Sequence, residues 1–184
     1  MTCAAIDSKE KHLAISDEEG VITIHNIHSG GILHQLQKIG SEMSKIEFLN
    51  GNTNFWLCAV GWEGMMALVK PPMYLKNTYT VPLVVKRTPH SGDIYTVHHM
   101  DALIATGGVD NKVCIWNAVS GTVRSIITMP RRDHRPNIFV NQVKFIKGES
   151  LNDGYSTIML YVIQNNGDLY CINPASETVS DRIT

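Results

Sequence analysis

His90 and Asp110 are the two residues of this sequence whose types could form a catalytic dyad. A carboxylate that orients an imidazole is how many hydrolases activate a nucleophile. Neither residue has a credible nucleophile beside it, and such a reaction would need one. We therefore assign the pair a structural role and predict that the chain has no catalytic residues.

The chain also has eight histidines, a residue type that often binds zinc. His98 and His99 are adjacent, so in a strand their side chains would point to opposite faces. The other closely spaced histidines follow no zinc pattern either: His25, His28 and His34. We predict no metal site.

The four cysteines are dispersed and never form a Cys-x-x-Cys pair. Three of them lie in apolar runs, which favours small buried strand residues in a reducing compartment. The set comprises Cys3, Cys58, Cys114 and Cys171. The glycine pairs at 30–31 and 107–108 lead into no helix, as a phosphate-binding loop would, so we expect turns and no cofactor.

Composition narrows the class of protein. The 184 residues are 43% hydrophobic and 18% charged, with a formal net charge of −1. The basic excess typical of nucleic-acid-binding proteins is lacking. No stretch approaches the roughly 18 apolar residues of a membrane-spanning helix, and the N-terminal residues do not resemble a signal peptide. We expect a cytoplasmic globular protein that binds proteins, and neither nucleic acid nor membrane.

The elements that must position His90 and Asp110 belong to an internal repeat. Residues 13–26, 56–70, 103–117 and 159–173 each contain an apolar run, a polar or glycine-rich turn and a second apolar run. Their alignment places one turn position at intervals of 44, 47 and 56 residues: Glu19, Glu63, Asp110 and Asn166. This predicts four units, approximately 1–38, 39–88, 89–129 and 138–184.

Each unit is predicted to supply four short strands. In the third unit we expect strands at 94–99, 103–106, 113–117 and 122–128, because these runs are rich in β-branched and apolar residues. No long stripe of helical period is visible. All-β repetition with glycine turns favours a propeller over a sandwich.

The third unit resembles the WD40 repeat closely over HSGDIYTVHHMDALIATGGVDNKVCIWNAVSGTV, residues 90–123. WD40 repeats carry a hydrogen-bonded tetrad of His, Ser or Thr, Asp and Trp, and the resemblance assigns it here to His90, Thr106, Asp110 and Trp116. Linking these groups would satisfy each of them on burial. The fold implied is an all-β, WD40-type β-propeller.

The other units depart from the tetrad. His25, Val69 and Ile172 occupy the position of Trp116, so these units must depend mainly on apolar packing. The third unit has Trp116-Asn117 and lacks the Trp-Asp-x-Arg common in ubiquitin-ligase receptors of this fold, which lowers the support for that function.

About four blades are present, whereas propellers have typically four to eight. We expect part of a larger ring, because an open half-ring would expose apolar faces and strand edges. Three arrangements remain: a fragment or short isoform of a larger protein, a ring completed by a partner chain, or closure with four blades alone.

Two further passages resemble a subgroup of WD-repeat proteins. CAVGWEGMMAL, at residues 58–68, is followed by a Pro-bearing insertion and then by an H-x-x-D-I start to the next unit. This order is similar to WD-repeat proteins of cilia and sperm flagella, which often also carry EF-hands. The chain has no EF-hand loop of the D-x-D-x-D-G type, so no calcium function is carried over.

Two loops are candidate partner contacts. Arg131, Arg132 and Arg135 could contact an acidic surface such as a tubulin tail, although a solvated loop between units is the alternative. Tyr74 and Tyr79, in the second unit's insertion, could be interface aromatics or could pack on their own blade.

We therefore interpret the chain as a non-catalytic protein-interaction scaffold, and as a structural component of a ciliary or flagellar axoneme. Its expected partners are axonemal subunits or tubulin. The alternative is a soluble cytosolic WD40 adaptor in signalling or ubiquitin-pathway complexes.

Overall fold

Antiparallel strands make up almost all of the regular structure. The computed structural model describes residues 1–75, 78–131, 137–149 and 156–180, with the backbone alone at 73–75, 78–80, 149 and 156. The helical structure in these ranges is one 3-10 turn, Trp62–Gly64. The prediction of an all-β propeller fold with about four blades is confirmed.

Four sheets of four strands follow one another along the chain. The first blade contains β1 (Cys3–Ile6), β2 (His12–Ser16), β3 (Ile22–Asn26) and β4 (Ile32–Gln35). The second contains β5 (Met43–Phe48), β6 (Leu57–Gly61), β7 (Met65–Val69) and β10 (Leu83–Arg87), with the hairpin β8 (Met73–Leu75) and β9 (Thr78–Thr80) inserted before its last strand.

The third blade contains β11 (Ile94–Met100), β12 (Leu103–Gly108), β13 (Lys112–Asn117) and β14 (Val123–Thr128). The fourth contains β15 (Val140–Glu149), β16 (Ser156–Gln164), β17 (Leu169–Asn173) and β18 (Thr178–Ser180). The four strands predicted in the third unit are therefore present. The limits proposed for the four units stay a prediction.

The blades stack face to face in chain order. The first strands of successive blades, β1, β5, β11 and β15, are neighbours and form the inner edge of the array. Apolar clusters fill the three junctions, for example Ile24 against Phe48, Val60 against Ile104, and Ile115 against Phe145. Every residue of β6 is buried, because the second blade is covered on both faces.

The cysteines lie where the dispersed pattern predicted them. Cys58, Cys114 and Cys171 are buried and Cys3 is half-buried, and all four are free thiols. Burial raises the pKa of the Cys114 thiol to about 12 and that of Cys3 to about 11. Both thiols are therefore protonated and poorly nucleophilic at neutral pH.

Glycine allows the connections between blades to approach the turns closely. A Cβ atom on Gly108 would lie 2.4 Å from the carbonyl oxygen of Asp93, and one on Gly61 would lie 2.2 Å from that of Glu42. Both distances are far below van der Waals contact. These two positions, each at the end of a second strand, therefore require glycine.

A buried amide pair joins the third and fourth blades. The Gln164 side-chain amide donates to Asn111 Oδ1 at 2.7 Å and to the Pro130 carbonyl at 3.0 Å. Asn111 in turn donates from Nδ2 to the Met129 carbonyl at 2.9 Å. Asn111 has φ 58°, a left-handed conformation that asparagine tolerates better than most residues. The pair fixes the position of the fourth blade against the turn of the third.

Replacing Gln164 with Leu tests this link. The change leaves two buried acceptors without their donor, so we expect a loss of about 2 kcal/mol in the free energy of unfolding. Urea denaturation followed by circular dichroism would measure the loss. Gln37→Leu, at an exposed position, is the matched control and should change stability by less than about 0.5 kcal/mol. Equal effects of the two changes would contradict the proposed link.

Candidate functional site

The connections between strands divide each blade into two ends. Because neighbouring strands are antiparallel, the second-to-third turns and the segments entering each blade lie at one end. His90, which precedes β11, and Asp110, between β12 and β13, both lie at this end. We call it the upper end. The first-to-second and third-to-fourth connections, including the β8–β9 hairpin, form the lower end.

His90, Thr106, Asp110 and Trp116 form a continuous chain of hydrogen bonds in the third blade. The Trp116 indole donates to Thr106 Oγ1 at 3.1 Å, and His90 Nε2 lies 2.9 Å from the same hydroxyl. His90 Nδ1 lies 3.0 Å from Asp110 Oδ1. The hydroxyl accepts from the indole and donates to Nε2, so Nδ1 carries the proton that is donated to the carboxylate.

The Asp110 carboxylate also caps the backbone of the upper end. It accepts hydrogen bonds from the backbone N–H of Ser91 at 3.0 Å and of Lys112 at 3.2 Å. Burial alone would raise the pKa of Asp110, but the bonds from His90 and these two amides lower it below the ordinary value. The carboxylate therefore stays ionised and ties the entering segment to the turn.

Burial of the tetrad leaves a substrate no access to it. The His90 side chain is 0% exposed and that of Asp110 is 5% exposed. Both nitrogens of the imidazole already have hydrogen-bond partners, so neither is free to act as a base. The structural role of the tetrad and its contribution to stability stay predictions.

Lys86 links the second blade to the tetrad. Its ammonium lies 5.0 Å from the centroid of the Trp116 ring, and it donates to the Gly121 carbonyl. Burial lowers the pKa of Lys86. A cation over an indole face is attractive when partly desolvated. This contact could not be predicted from the sequence, because it joins residues of two blades through their registers.

A second histidine–carboxylate pair lies at the lower end of the first blade. His12 Nδ1 is 2.9 Å from Asp7 Oδ2, and Asp7 also accepts from the backbone N–H of Lys11 at 2.7 Å. Burial alone would raise the pKa of Asp7, but these hydrogen bonds lower it below its ordinary value. The Trp56 ring packs edge-on against His12 at 5.3 Å. The pair closes the turn between β1 and β2, and sequence analysis missed it.

The adjacent His98 and His99 serve different blade junctions, as their opposite faces predicted. His98 Nδ1 accepts from the backbone N–H of Phe145 at 3.2 Å, in the fourth blade. His99 Nε2 accepts from that of Asn50 at 2.8 Å, in the second. No group of His, Cys, Asp and Glu able to hold a metal ion occurs among the described residues. Within the same ranges, no helix is long and apolar enough to cross a membrane.

Three aromatic side chains form an arc across the upper end. The rings of Trp62 and Tyr95 are 5.9 Å apart and edge to face, and those of Tyr95 and Phe139 are 5.1 Å apart. They come from the second, third and fourth blades, and each is half-buried. Tyr95 is the extra residue of a β-bulge in β11, which re-aims its side chain. We call these three residues the aromatic arc.

The predicted contact residues are divided between the two ends. Arg131 is exposed where the chain leaves the third blade at the upper end. Arg132 and Arg135 lie outside the described residues. Tyr74 and Tyr79 are paired across the β8–β9 hairpin at the lower end, where their side chains are not described. Sequence analysis missed the aromatic arc, because its members occupy different positions in their repeats.

The tetrad can be tested by changing Asp110 to Ala. The change leaves the buried His90 imidazole and the backbone amides of Ser91 and Lys112 without their acceptor, so we expect a loss of about 3 kcal/mol in stability. Thermal unfolding would show the loss as a lower Tm. Glu18→Ala, at an exposed position, is the control. A Tm unchanged by Asp110→Ala would contradict the assignment.

The stabilisation by Asp110 should also depend on pH. Its folded pKa is depressed, so its contribution is present above the ordinary carboxyl pKa of about 3.9 and is lost as pH falls through the folded value. The stability difference between the wild type and Asp110→Asn should therefore be constant from pH 6 to 8 and shrink below roughly pH 4. A difference that grew on acidification would exclude this role.

Comparison with known proteins of similar sequence or structure identifies the fold. No family model matches the chain. Over 123 residues, 65% of the chain, it is 32% identical to the periodic tryptophan protein 2 homolog of Caenorhabditis elegans, of which it spans 13%.

Two solved structures align with nearly the whole chain and with about half of their own. A chain in the crystal structure of a mitotic checkpoint complex aligns with 98% of this chain and 49% of its own length, at 15% identity and a TM-score of 0.71. The WD40 repeats of RRP9 align with 97% of this chain and 49% of their own, at 11% identity and a TM-score of 0.68. The chain therefore has the WD40-repeat β-propeller fold.

Proposed function

We propose that this protein is a non-catalytic protein-interaction scaffold and that its upper end binds partners. The aromatic arc is the observation that carries the proposal. Trp62, Tyr95 and Phe139 form one row across three blades and remain partly accessible. Aromatic side chains supply much of the binding energy at protein interfaces, since they bury a large area at a small entropic cost.

The backbone beneath the arc is held in place before any partner binds. The backbone N–H of Glu63, next to Trp62, donates to Asp93 Oδ1 at 2.9 Å. Phe139 donates from its backbone N–H to Asn165 Oδ1 at 3.0 Å. A surface fixed in this way loses little entropy on binding. These contacts support a binding surface made of rigid turns.

Among the described residues, the engaged histidine–carboxylate pairs and the protonated thiols support binding over catalysis. The His12–Asp7 and His90–Asp110 pairs are occupied by their own turns, and His99 and Glu47 contact each other at a blade junction. The thiol pKa values are raised by burial. An active site needs titratable groups that face a cleft.

Charge beside the arc suggests the chemistry of a partner. Arg131 is exposed, and the sequence continues to Arg132 and Arg135 within the same connection. An acidic segment, such as a tubulin tail, would satisfy this charge and place the partner next to the arc. The Tyr74 and Tyr79 hairpin offers a separate contact at the lower end.

Two cellular settings suit such a scaffold. A structural role in a ciliary or flagellar axoneme is supported by the resemblance of residues 58–68 and of the following H-x-x-D-I start. A cytosolic adaptor is supported by a structural neighbour that belongs to a mitotic checkpoint complex. The sequence Trp116-Asn117 weighs against a ubiquitin-ligase receptor within the adaptor class.

Detergent extraction of ciliated cells separates these settings. An axonemal component should remain in the pellet and be released by high salt, whereas an adaptor should enter the detergent-soluble fraction. Immunoblotting of both fractions would measure the distribution, with tubulin as the marker of the pellet. Complete release by detergent, or absence from cilia, would exclude the axonemal role and leave the adaptor.

Surface substitutions test the binding end itself. Tyr95→Ala combined with Phe139→Ala should abolish co-purification of the native partners, because it removes the centre of the arc. The pair Val123→Ala and Ile126→Ala, which removes exposed apolar side chains from β14, is the matched control. Both double variants should be folded by circular dichroism. Full retention of the partners by the arc variant would contradict binding at the upper end.

The arginine contact needs its own measurement. Replacing Arg131, Arg132 and Arg135 with Ser should leave the Tm unchanged, because Arg131 is exposed and the sequence predicts a solvated loop around the other two. Co-sedimentation with microtubules, with and without their acidic tails, would report binding. Binding that is equal for the wild type and the triple variant would exclude this contact.

A further inference from the structure

The first blade exposes a face that inner blades bury. Ile6 is paired with Leu13 in the first blade, as Phe48 is with Leu57 in the second and Phe145 with Leu160 in the fourth. These registers make Ile6, Phe48 and Phe145 equivalent. Phe48 is 4% exposed and Phe145 is 1% exposed, whereas Ile6 is 57% exposed. A preceding blade covers Phe48 and Phe145, whereas the described residues form no blade before the first.

The fourth blade exposes the opposite kind of face. Ile163 is paired with Gln142, as Val60 is with Lys45 in the second blade, so Ile163 and Val60 are equivalent. Val60 is 0% exposed in the cluster it shares with the third blade, whereas Ile163 is 37% exposed. Ile146 follows Phe145 as Leu49 follows Phe48. Ile146 is 47% exposed, whereas Leu49 is 5% exposed. A following blade covers Val60 and Leu49, whereas the described residues form no blade after the fourth.

Both faces have the composition of a blade junction. On the first blade the exposed face is formed by Ala4, Ile6, Leu13, Ile15, Thr23 and His25, without an Asp, Glu, Lys or Arg. On the fourth, Ile146, Met159, Tyr161 and Ile163 surround one charge, Lys144 on the inner strand. The equivalent position of the second blade is Glu47, which is charged and still lies at a junction, 3.4 Å from His99.

We propose that two copies of this chain associate head to tail, the fourth blade of each against the first blade of the other. The faces differ in kind, one lacking a preceding blade and the other a following blade, so each is complementary to the other and not to itself. A second copy supplies both missing blades at once, and a two-fold axis relates the two junctions.

The resulting ring has eight blades, which is within the usual range for propellers. The two solved structures compared above contain about as much chain again as the aligned part, which is the amount that a second copy would add. The inference goes beyond the proposed scaffold. It concerns the two end faces and not the upper end, so either proposal can fail alone.

The mass of the purified 184-residue chain in solution tests the inference. We expect sedimentation equilibrium to give twice the mass of one chain at micromolar concentration. A folded monomer throughout the micromolar range would overturn the proposal. So would a series of larger species, since a closed ring ends at two copies.

Single substitutions distinguish this pairing from a symmetric one. Ile6→Glu and Ile163→Lys should each produce folded monomers, because each variant damages both junctions of the ring. Ile126→Glu, at an outer-strand position that is 48% exposed, is the control and should leave the dimer intact. If either end-face variant remained dimeric, the head-to-tail arrangement would be wrong.

Mixing the two variants provides a rescue. In a mixed pair one junction is unaltered and the other carries both substitutions, with opposite charges on its two faces, so dimers should reappear. This readout does not depend on how either change affects folding alone. A mixture that stayed monomeric, with both chains folded by circular dichroism, would contradict the proposal.

Discussion

Every blade of this protein needs cover on both of its faces, and the rest of the structure follows from that requirement. A single four-stranded sheet with apolar residues on both sides is unstable in water. The second and third blades meet the requirement through their neighbours, which is why every residue of β6 is buried. The alternation expected for a sheet with one wet face is therefore lost in the centre of the array and appears only at its ends.

Apolar packing alone would let one blade slide or rotate on the next, and specific polar contacts prevent it. The Gln164 amide enters the turn of the third blade, and Lys86 reaches Trp116 from the second. The tetrad ties the entering segment of the third blade to its own turn. Each contact is buried or half-buried, so a shifted register would leave its members without partners.

The fold could be predicted from sequence because repetition shows it four times, with apolar runs and glycine turns at related intervals. The tetrad could be located because one repeat, at residues 90–123, has the residue types of the WD40 tetrad that it resembles. The contacts between blades could not be predicted from the sequence. Tyr95, Lys86 and Gln164 act through a bulge or a register, and periodicity within one repeat carries no information on its neighbour. The partner contact predicted for Tyr74 and Tyr79 stays a prediction for a different reason, because only the backbone of these residues is described.

The uneven distribution of polar contacts has a consequence for function. Among the described residues only the third blade has a complete tetrad, and the buried amide pair and the cation–π contact both involve that blade. It is therefore the best-anchored part of the array, and Tyr95, the centre of the aromatic arc, lies on it. A binding surface gains most from rigidity where its largest side chains lie, since ordering them beforehand lowers the entropic cost of association. The third blade thus combines the structural centre of the chain with the centre of its proposed binding surface.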